Sequence, residues 1–478
     1  MNRSLLLVAA TGALAVGALL LGKPPQPPEP PPPAVTDTSH TVRRPEDPPA
    51  VYTLPLVSSA PEGGAVSMSG KLSGGYVQTG PSEAFAWLEL KARAPESGQR
   101  VPVNLALVLD RSGSMGGQKL NDARRAAMEL VQRLTPEDRL AFIDYGTDVK
   151  VHHSQKMTPE ARAELLSLIA ALRDDGSTNI SGALAAAADT LRPHMREYRV
   201  SRAILLSDGQ PTTGLTRDTD LFDQVRRLRA DGITVSALGV GLDYQELLMR
   251  GMAEQGGGFS GFIDDSSRLA EVFSRELDQA TSTVARLVEL RLDVPPEVQD
   301  LEVMGMASFR EGNVLKVPLY DLAGSQSVRV VAKLSLKTDQ RAGTLALLKA
   351  RLHYVDVARD MPTETALELT AQVTDDVARV RAHLDKDVRV HATRALGTQQ
   401  MVAAAEEMKR GNKAKARSLL DNARSIFGTS ADALAGELAD VRTSQAALAG
   451  AASVEEAQAE SRNLLKKSIK NFGQNNTY

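Results

Sequence analysis

From Val101 the chain alternates two hydrophobic periods. Val103 to Leu109 reads VNLALVL, an unbroken apolar run of the kind a strand needs when both its faces are covered. Leu120, Ala123, Ala127, Leu130, Val131 and Leu134 then recur at helical spacing. Arg139 to Tyr145 reads as a second strand, and Leu165, Leu168, Ile169 and Leu172 mark the next helix. Ile180, Ala183, Leu184, Ala187 and Leu191 mark another, and Val200–Leu206 and Ile233–Val240 are further strands. Helices over Leu221–Leu228, Tyr244–Ala253 and Leu269–Ala280 complete the series. Strands that alternate with helices predict an α/β domain over 101–283, an open, mostly parallel sheet flanked by helices. Such sheets place ligands at the carboxyl ends of their strands, where the strand order reverses.

Both flanks change texture. Between 51 and 100, short β-like runs alternate with Gly, Pro and Ser turns, Ala84 to Ala92 being the clearest. The segment is too short to stand alone and is expected to join a later sheet. Over 284–362, Leu287–Leu292, Leu315–Val317, Ser327–Leu336 and Ala346–Val355 read as antiparallel strands of a small β-sandwich-like module. From Thr363 to the end at 478 the chain is Ala-rich, charged and helix-periodic. Gly411-Asn412 separates two helices there, a single helical hairpin without the repeat that an array requires. The tail from Asn471 is expected to be loose.

The N-terminus bears on compartment. Met1–Ser4 is short and basic, and Leu5–Leu21 carries no charge, which makes 1–22 a signal-anchor or a signal peptide. Arg3 and the terminal amine outweigh Lys23, so the body is expected outside the cytoplasm, held by one span. The linker 23–50 contains PPQPPEPPPP from Pro24 to Pro33, a polyproline II spacer of roughly 30 Å at ~3.1 Å per residue.

At 478 residues the chain calls for several domains, and composition removes some function classes. A net charge of −3 offers no footprint for nucleic acid, and 4% aromatic content offers no base-stacking platform. The sequence has no cysteine, so disulfides, thiolate metal sites and Cys nucleophiles are excluded.

The chemistry concentrates in three loops. Asp110-Arg111-Ser112-Gly113-Ser114 leaves the strand Val103–Leu109 with one carboxylate and two hydroxyls at alternate positions. Thr178 lies in Asp175-Gly-Ser-Thr-Asn179, just before a helix, and Asp208 follows the strand ending Leu205-Leu206. All three loops should open on one sheet edge. Hard oxygen donors of this kind suit Mg²⁺, which keeps several waters of its own.

DRSGSM, GSTN and LLSDG resemble the metal-ion-dependent adhesion site of von Willebrand factor A domains, written Asp-x-Ser-x-Ser, then Thr, then Asp. The resemblance implies a site built of Asp110, Ser112, Ser114, Thr178 and Asp208 that holds Mg²⁺, with Mn²⁺ acceptable and Ca²⁺ a poorer fit. Leu238 to Gly258, LGVGLDYQELLMRGMAEQGGG, is similar to bacterial proteins described as calcium-activated chloride channel homologues. Inter-alpha-trypsin inhibitor heavy chains have a similar layout. The likeness is dense over Val101–Thr283, thinner to Val357, and compositional beyond. It implies a non-enzymatic binding protein whose metal captures an Asp or Glu side chain of a partner. One apolar segment cannot line a channel.

The rival reading is a Mg²⁺-dependent hydrolase, such as a phosphatase, using the same ion as Lewis acid. Neither His nor Lys lies within the three loops, so that reading lacks a general base. Gly256-Gly-Gly-Phe-Ser-Gly261 matches G-x-G-x-x-G but follows a helix, the reverse of the dinucleotide-binding order, and reads as a turn. His152-His153 face opposite sides of a strand and read as an exposed pair. Glu406–Lys415 reads as a solvated helix face, and Asn179-Ile-Ser181, although a glycosylation sequon, sits inside the metal loop.

Overall fold

Four strands open the folded chain, and the two longer ones, the second and the fourth, alternate inward and outward residues over most of their length. The four are β1 (Val57–Ser59), β2 (Val66–Leu72), β3 (Tyr76–Gln78) and β4 (Gly80–Ala92). The computed structural model describes residues 57–59, 64–94, 100–241, 245–263, 265–338, 343–451 and 453–473. The apolar segment Leu5–Leu21, the proline tract and the last residues of the tail lie outside them. Among the described residues no helix is long and apolar enough to cross a membrane.

The α/β unit follows. Its elements are β5 (Val103–Asp110), α1 (Gln118–Arg133), β6 (Arg139–Tyr145), β7 (Val149–Lys156), α2 (Pro159–Ala170) and α3 (Ile180–Leu191), then β8 (Val200–Ser207), α4 (Asp218–Ala230), β9 (Ile233–Val240), α5 (Glu246–Gly256), β10 (Gly257–Ile263) and α6 (Leu269–Thr281). The strands lie in the order β10-β9-β8-β5-β6-β7. All neighbours run parallel except β6 and β7. β5, β8 and β9 are buried along their whole length, which is why they read as unbroken apolar runs. One face of the sheet packs on α1, α2 and α6 and the other on α3, α4 and α5. The chain steps to either side of β5, so the order reverses between β5 and β8.

β7 was anticipated only at His152-His153, without bounds. Its sequence, VKVHHSQK, is polar because it is an antiparallel edge strand with one face in water. His152 is also not exposed as expected. Its ring stacks on Phe142 at 5.3 Å between centroids, and its Nε2 lies 2.7 Å from Asp144 Oδ2.

The remaining strands are β11 (Thr283–Asp293), β12 (Val298–Val303), β13 (Phe309–Glu311), β14 (Val314–Pro318), β15 (Leu322–Ala323), β16 (Ser327–Thr338), β17 (Gly343–Asp356) and β18 (Met361–Thr374). β4 pairs along its length with β16, giving a sheet β1-β2-β4-β16-β12. A second sheet runs β13-β14-β11-β17-β18-β3, and the two share one apolar core. β18 corrects the expected start of the helical region: strand pairing persists to Thr374, and the first helix begins at Val377.

α7 (Val377–Ala382) is short, and α8 (Lys386–Lys409), α9 (Lys413–Gly428), α10 (Ala435–Gly450) and α11 (Val454–Asn471) are long. The long four share a core around Met401, Leu420, Phe427, Val441 and Leu464, so they form a bundle instead of a lone hairpin. Glu407, expected on a solvated face, is buried and accepts from Arg410, Asn412 and Lys415. The bundle rests on the sandwich through His391 stacked on Trp87, 5.4 Å apart, and through Phe472 beside Met304 and Val331.

Candidate metal centre

At the reversal point the carboxyl ends of β5 and β8 deliver Asp110 and Ser207 side by side. Asp110 is fully buried. Its Oδ1 accepts from the Ser112 amide at 2.8 Å, and its Oδ2 from the Ser207 hydroxyl at 2.6 Å. Burial pushes the carboxyl up to about 6, with the hydrogen bonds from Ser207 and Ser112 opposing the rise and the neighbouring Asp208 adding to it. A carboxylate buried at this cost is a poor choice for stability and a good one for meeting a cation.

The turn after β5 tightens into a 3₁₀ turn at Gly113–Met115, which brings the Ser112 and Ser114 hydroxyl oxygens to 3.1 Å. Ser112 is buried and Ser114 is exposed, so the pair forms a path from Asp110 to solvent. The Ser114 hydroxyl donates to Asp208 Oδ1 at 2.7 Å. The same carboxylate takes the Lys119 ammonium on Oδ2 at 2.6 Å.

Thr178 enters from the loop before α3. Its amide donates to Thr212 Oγ1 at 2.9 Å, and its carbonyl accepts from the amides of Thr212 and Thr213. A Cβ added at Gly209 would stand 3.6 Å from Ser114 Oγ and 3.8 Å from Thr178 Oγ1, so the two hydroxyls flank one small space that glycine leaves clear. Asp110, Ser112, Ser114 and Asp208 are therefore linked by hydrogen bonds, and Thr178 faces the same opening across Gly209.

Two glycines let the loops approach. A Cβ on Gly146 would lie 2.3 Å from the Asp175 carbonyl, and Gly176 has φ +83° with Thr147 against it. Backbone bonds then join the loops: Asp175 to the Arg111 carbonyl at 2.8 Å, Gly113 to the Gly176 carbonyl at 3.1 Å and Asn179 to the Gly146 carbonyl at 3.1 Å. The Arg111 guanidinium spans the same seam. Its Nε donates to Asp144 Oδ1 at 2.6 Å and its Nη1 to the Asp175 carbonyl at 3.3 Å.

The residues fit a hard divalent ion by their chemistry. Among the described residues no three His, Asp or Glu side chains cluster as a metal site. What gathers here is a donor set of two carboxylates and three hydroxyls, oxygen throughout. Sequence reasoning did not single out Ser207, Lys119, Arg111, Asp144 or Thr212. The signal for Ser207 was its place beside Asp208 at a strand end. For Lys119 it was a cation in the first turn of a helix, where the dipole disfavours one.

Residues 104–275 match the von Willebrand factor type A domain. The chain carries such a domain. An uncharacterized protein of Synechocystis sp. is 27% identical over 70% of this chain and 81% of its own length. An inter-alpha-trypsin inhibitor heavy chain of Pongo abelii is 31% identical over 36% of this chain, which spans only 21% of that relative. Among solved structures, a von Willebrand factor type A protein from Catenulispora acidiphila superposes with a TM-score of 0.66 at 18% identity, covering 85% of this chain and 96% of that one. At that identity the likeness establishes the fold alone. Von Willebrand factor type A domains commonly mediate metal-dependent protein–protein contacts.

Proposed function

We propose that this is a metal-dependent adhesion or scaffold protein of the cell envelope. Asp110, Ser112, Ser114, Thr178 and Asp208 build a site for Mg²⁺, Asp208 from behind Ser114, and the ion completes its shell with a carboxylate oxygen from an acidic residue of a partner protein. The observation that carries this reading is the link from buried Asp110, through the Ser112 amide and hydroxyl, to exposed Ser114, which brings oxygen donors from the sheet's interior to its open edge. When bound, the ion supplies a positive charge and an exchangeable coordination position. The protein's part is to orient oxygens and keep loops in place. Exposed Leu215 and Leu247 follow β8 and β9 in the chain and offer apolar contact area near that edge.

The finer family assignment, to the bacterial group described as calcium-activated chloride channel homologues, rests on Leu238–Gly258 and belongs to this proposal. So does the location. Leu5–Leu21 tethers the body on the non-cytoplasmic side, and the proline tract lifts it off the membrane. Protease added to intact spheroplasts should digest the body, and full protection would refute the tether.

The test of function is affinity capture on the immobilised protein from its source membranes, in Mg²⁺ and in EDTA, with Asp110→Ala as control. Capture should need both metal and Asp110. Capture that survives EDTA undiminished places the contact elsewhere, and Mg²⁺-dependent turnover of a generic phosphoester would favour the hydrolase.

A further inference from the structure

Lys119 is the second residue of α1, an unfavourable place for a cation. Unsatisfied amides give a helix N-terminus partial positive charge, which favours acids, and the first turn of α1 has none. The ammonium nevertheless lies 2.6 Å from Asp208, whose side chain is fully buried, while the lysine keeps 29% exposure. It also approaches the Ser114 carbonyl at 3.4 Å. Gly241, just after β9, makes room for the stem: a Cβ there would sit 2.9 Å from Lys119 Cε. A local rule broken at a site with space made for the exception is how functional residues look in a folded chain.

We propose that Lys119 is a built-in counter-ion that sets the charge of the metal centre, weakening its grip on Mg²⁺ and raising its demand for a partner's carboxylate. The proposal rests on the metal-binding reading above. Both oxygens of Asp208 are engaged, Oδ1 by the Ser114 hydroxyl and Oδ2 by the ammonium, so Asp208 acts from behind Ser114. Mg²⁺ with Asp110 and Asp208 alone would be neutral. With Lys119 the same group carries one net positive charge, and an incoming carboxylate cancels it. The lysine therefore moves affinity from the resident ion to the partner, a device for specificity toward acidic ligands.

The test is calorimetric titration of MgCl₂ into the full-length protein, Lys119→Met and Lys119→Arg. Methionine keeps the apolar stem, and arginine keeps the charge. Lys119→Met should bind Mg²⁺ about tenfold or more tighter, as the loss of a unit positive charge 2.6 Å from Asp208 requires. Lys119→Arg should stay near the wild type. Without metal, Lys119→Met should melt below the wild type, and saturating Mg²⁺ should raise its Tm by the larger increment. Acetate then serves as probe of the open position on the Mn²⁺-loaded proteins. It should suppress water-proton relaxation less effectively in Lys119→Met than in the wild type. Wild-type or weaker Mg²⁺ affinity in Lys119→Met overturns the counter-ion and leaves the metal site standing. No Mg²⁺ binding by the wild type overturns both.

Discussion

β8 carries a buried ionic cluster at each end, and the two ends do different things. Near its start Arg202, fully buried, meets Glu276 of α6 at 3.3 Å and Asp321 of the sandwich at 3.8 Å. Asp321 also accepts from Thr234 Oγ1 at 2.5 Å and from the Leu287 amide at 3.0 Å. Nearby, Arg229 donates to the carbonyls of Val288 and Leu319. That end is closed: its charges are sealed between two cores and fix one domain on the other. At the far end Asp208 and Asp110 are just as buried, but their oxygens lead through Ser112 to exposed Ser114 and a partly exposed lysine. Both ends bury charge; the proposed metal centre differs in having a route to solvent lined by oxygen donors.

The largest effect separates the ends by stability. Arg202→Met removes the buried guanidinium that faces Glu276 and Asp321 and should cost about 3–5 kcal/mol. Thermal melts should show the loss, while Mg²⁺ affinity per folded molecule stays unchanged. A Mg²⁺ affinity that falls with it would mean that the two ends are not independent. Next comes Asp208→Ala, which should weaken Mg²⁺ by about 10–100-fold without a comparable loss of Tm, in keeping with residues that act behind the direct ligands. Thr178→Ala should be milder, since water can replace one neutral oxygen; a larger loss than for Asp208→Ala would reverse their roles.

The smallest effect is on pH. Asp110's carboxyl lies at about 6, above its ordinary value of 3.8. Between those values folding takes up a proton, so metal-free stability should fall as pH rises through that window. Mg²⁺ must displace that proton, so its affinity should drop as pH falls through about 6. Titrations at about pH 5 and about pH 8 in buffers of different ionisation enthalpy should show proton release only at the lower pH. Equal release at both would mean another group titrates.

Much of this was legible in the chain, for stated physical reasons. β5, β8 and β9 are covered on both faces, so burial wrote them as continuous apolar runs. The proposed site residues were read as carboxylates and hydroxyls at strand ends and loop turns, and as a set only through the resemblance of DRSGSM, GSTN and LLSDG to a known metal site. β18 was missed although Thr365, Leu367, Leu369, Ala371 and Val373 alternate inward. Its Ala, Leu and Glu content favours helix, and pairing with β17 overrode that propensity. The His152 contact with Asp144 and the Lys119 contact with Asp208 were illegible because each joins elements that only the sheet brings together.

The most direct measurement is a calorimetric titration of MgCl₂ into the wild type and Asp110→Ala, with circular dichroism on both. The account predicts saturable binding in the wild type and none in Asp110→Ala, at unchanged secondary structure. Equal Mg²⁺ affinity in the two, or no binding by the folded wild type, would contradict it.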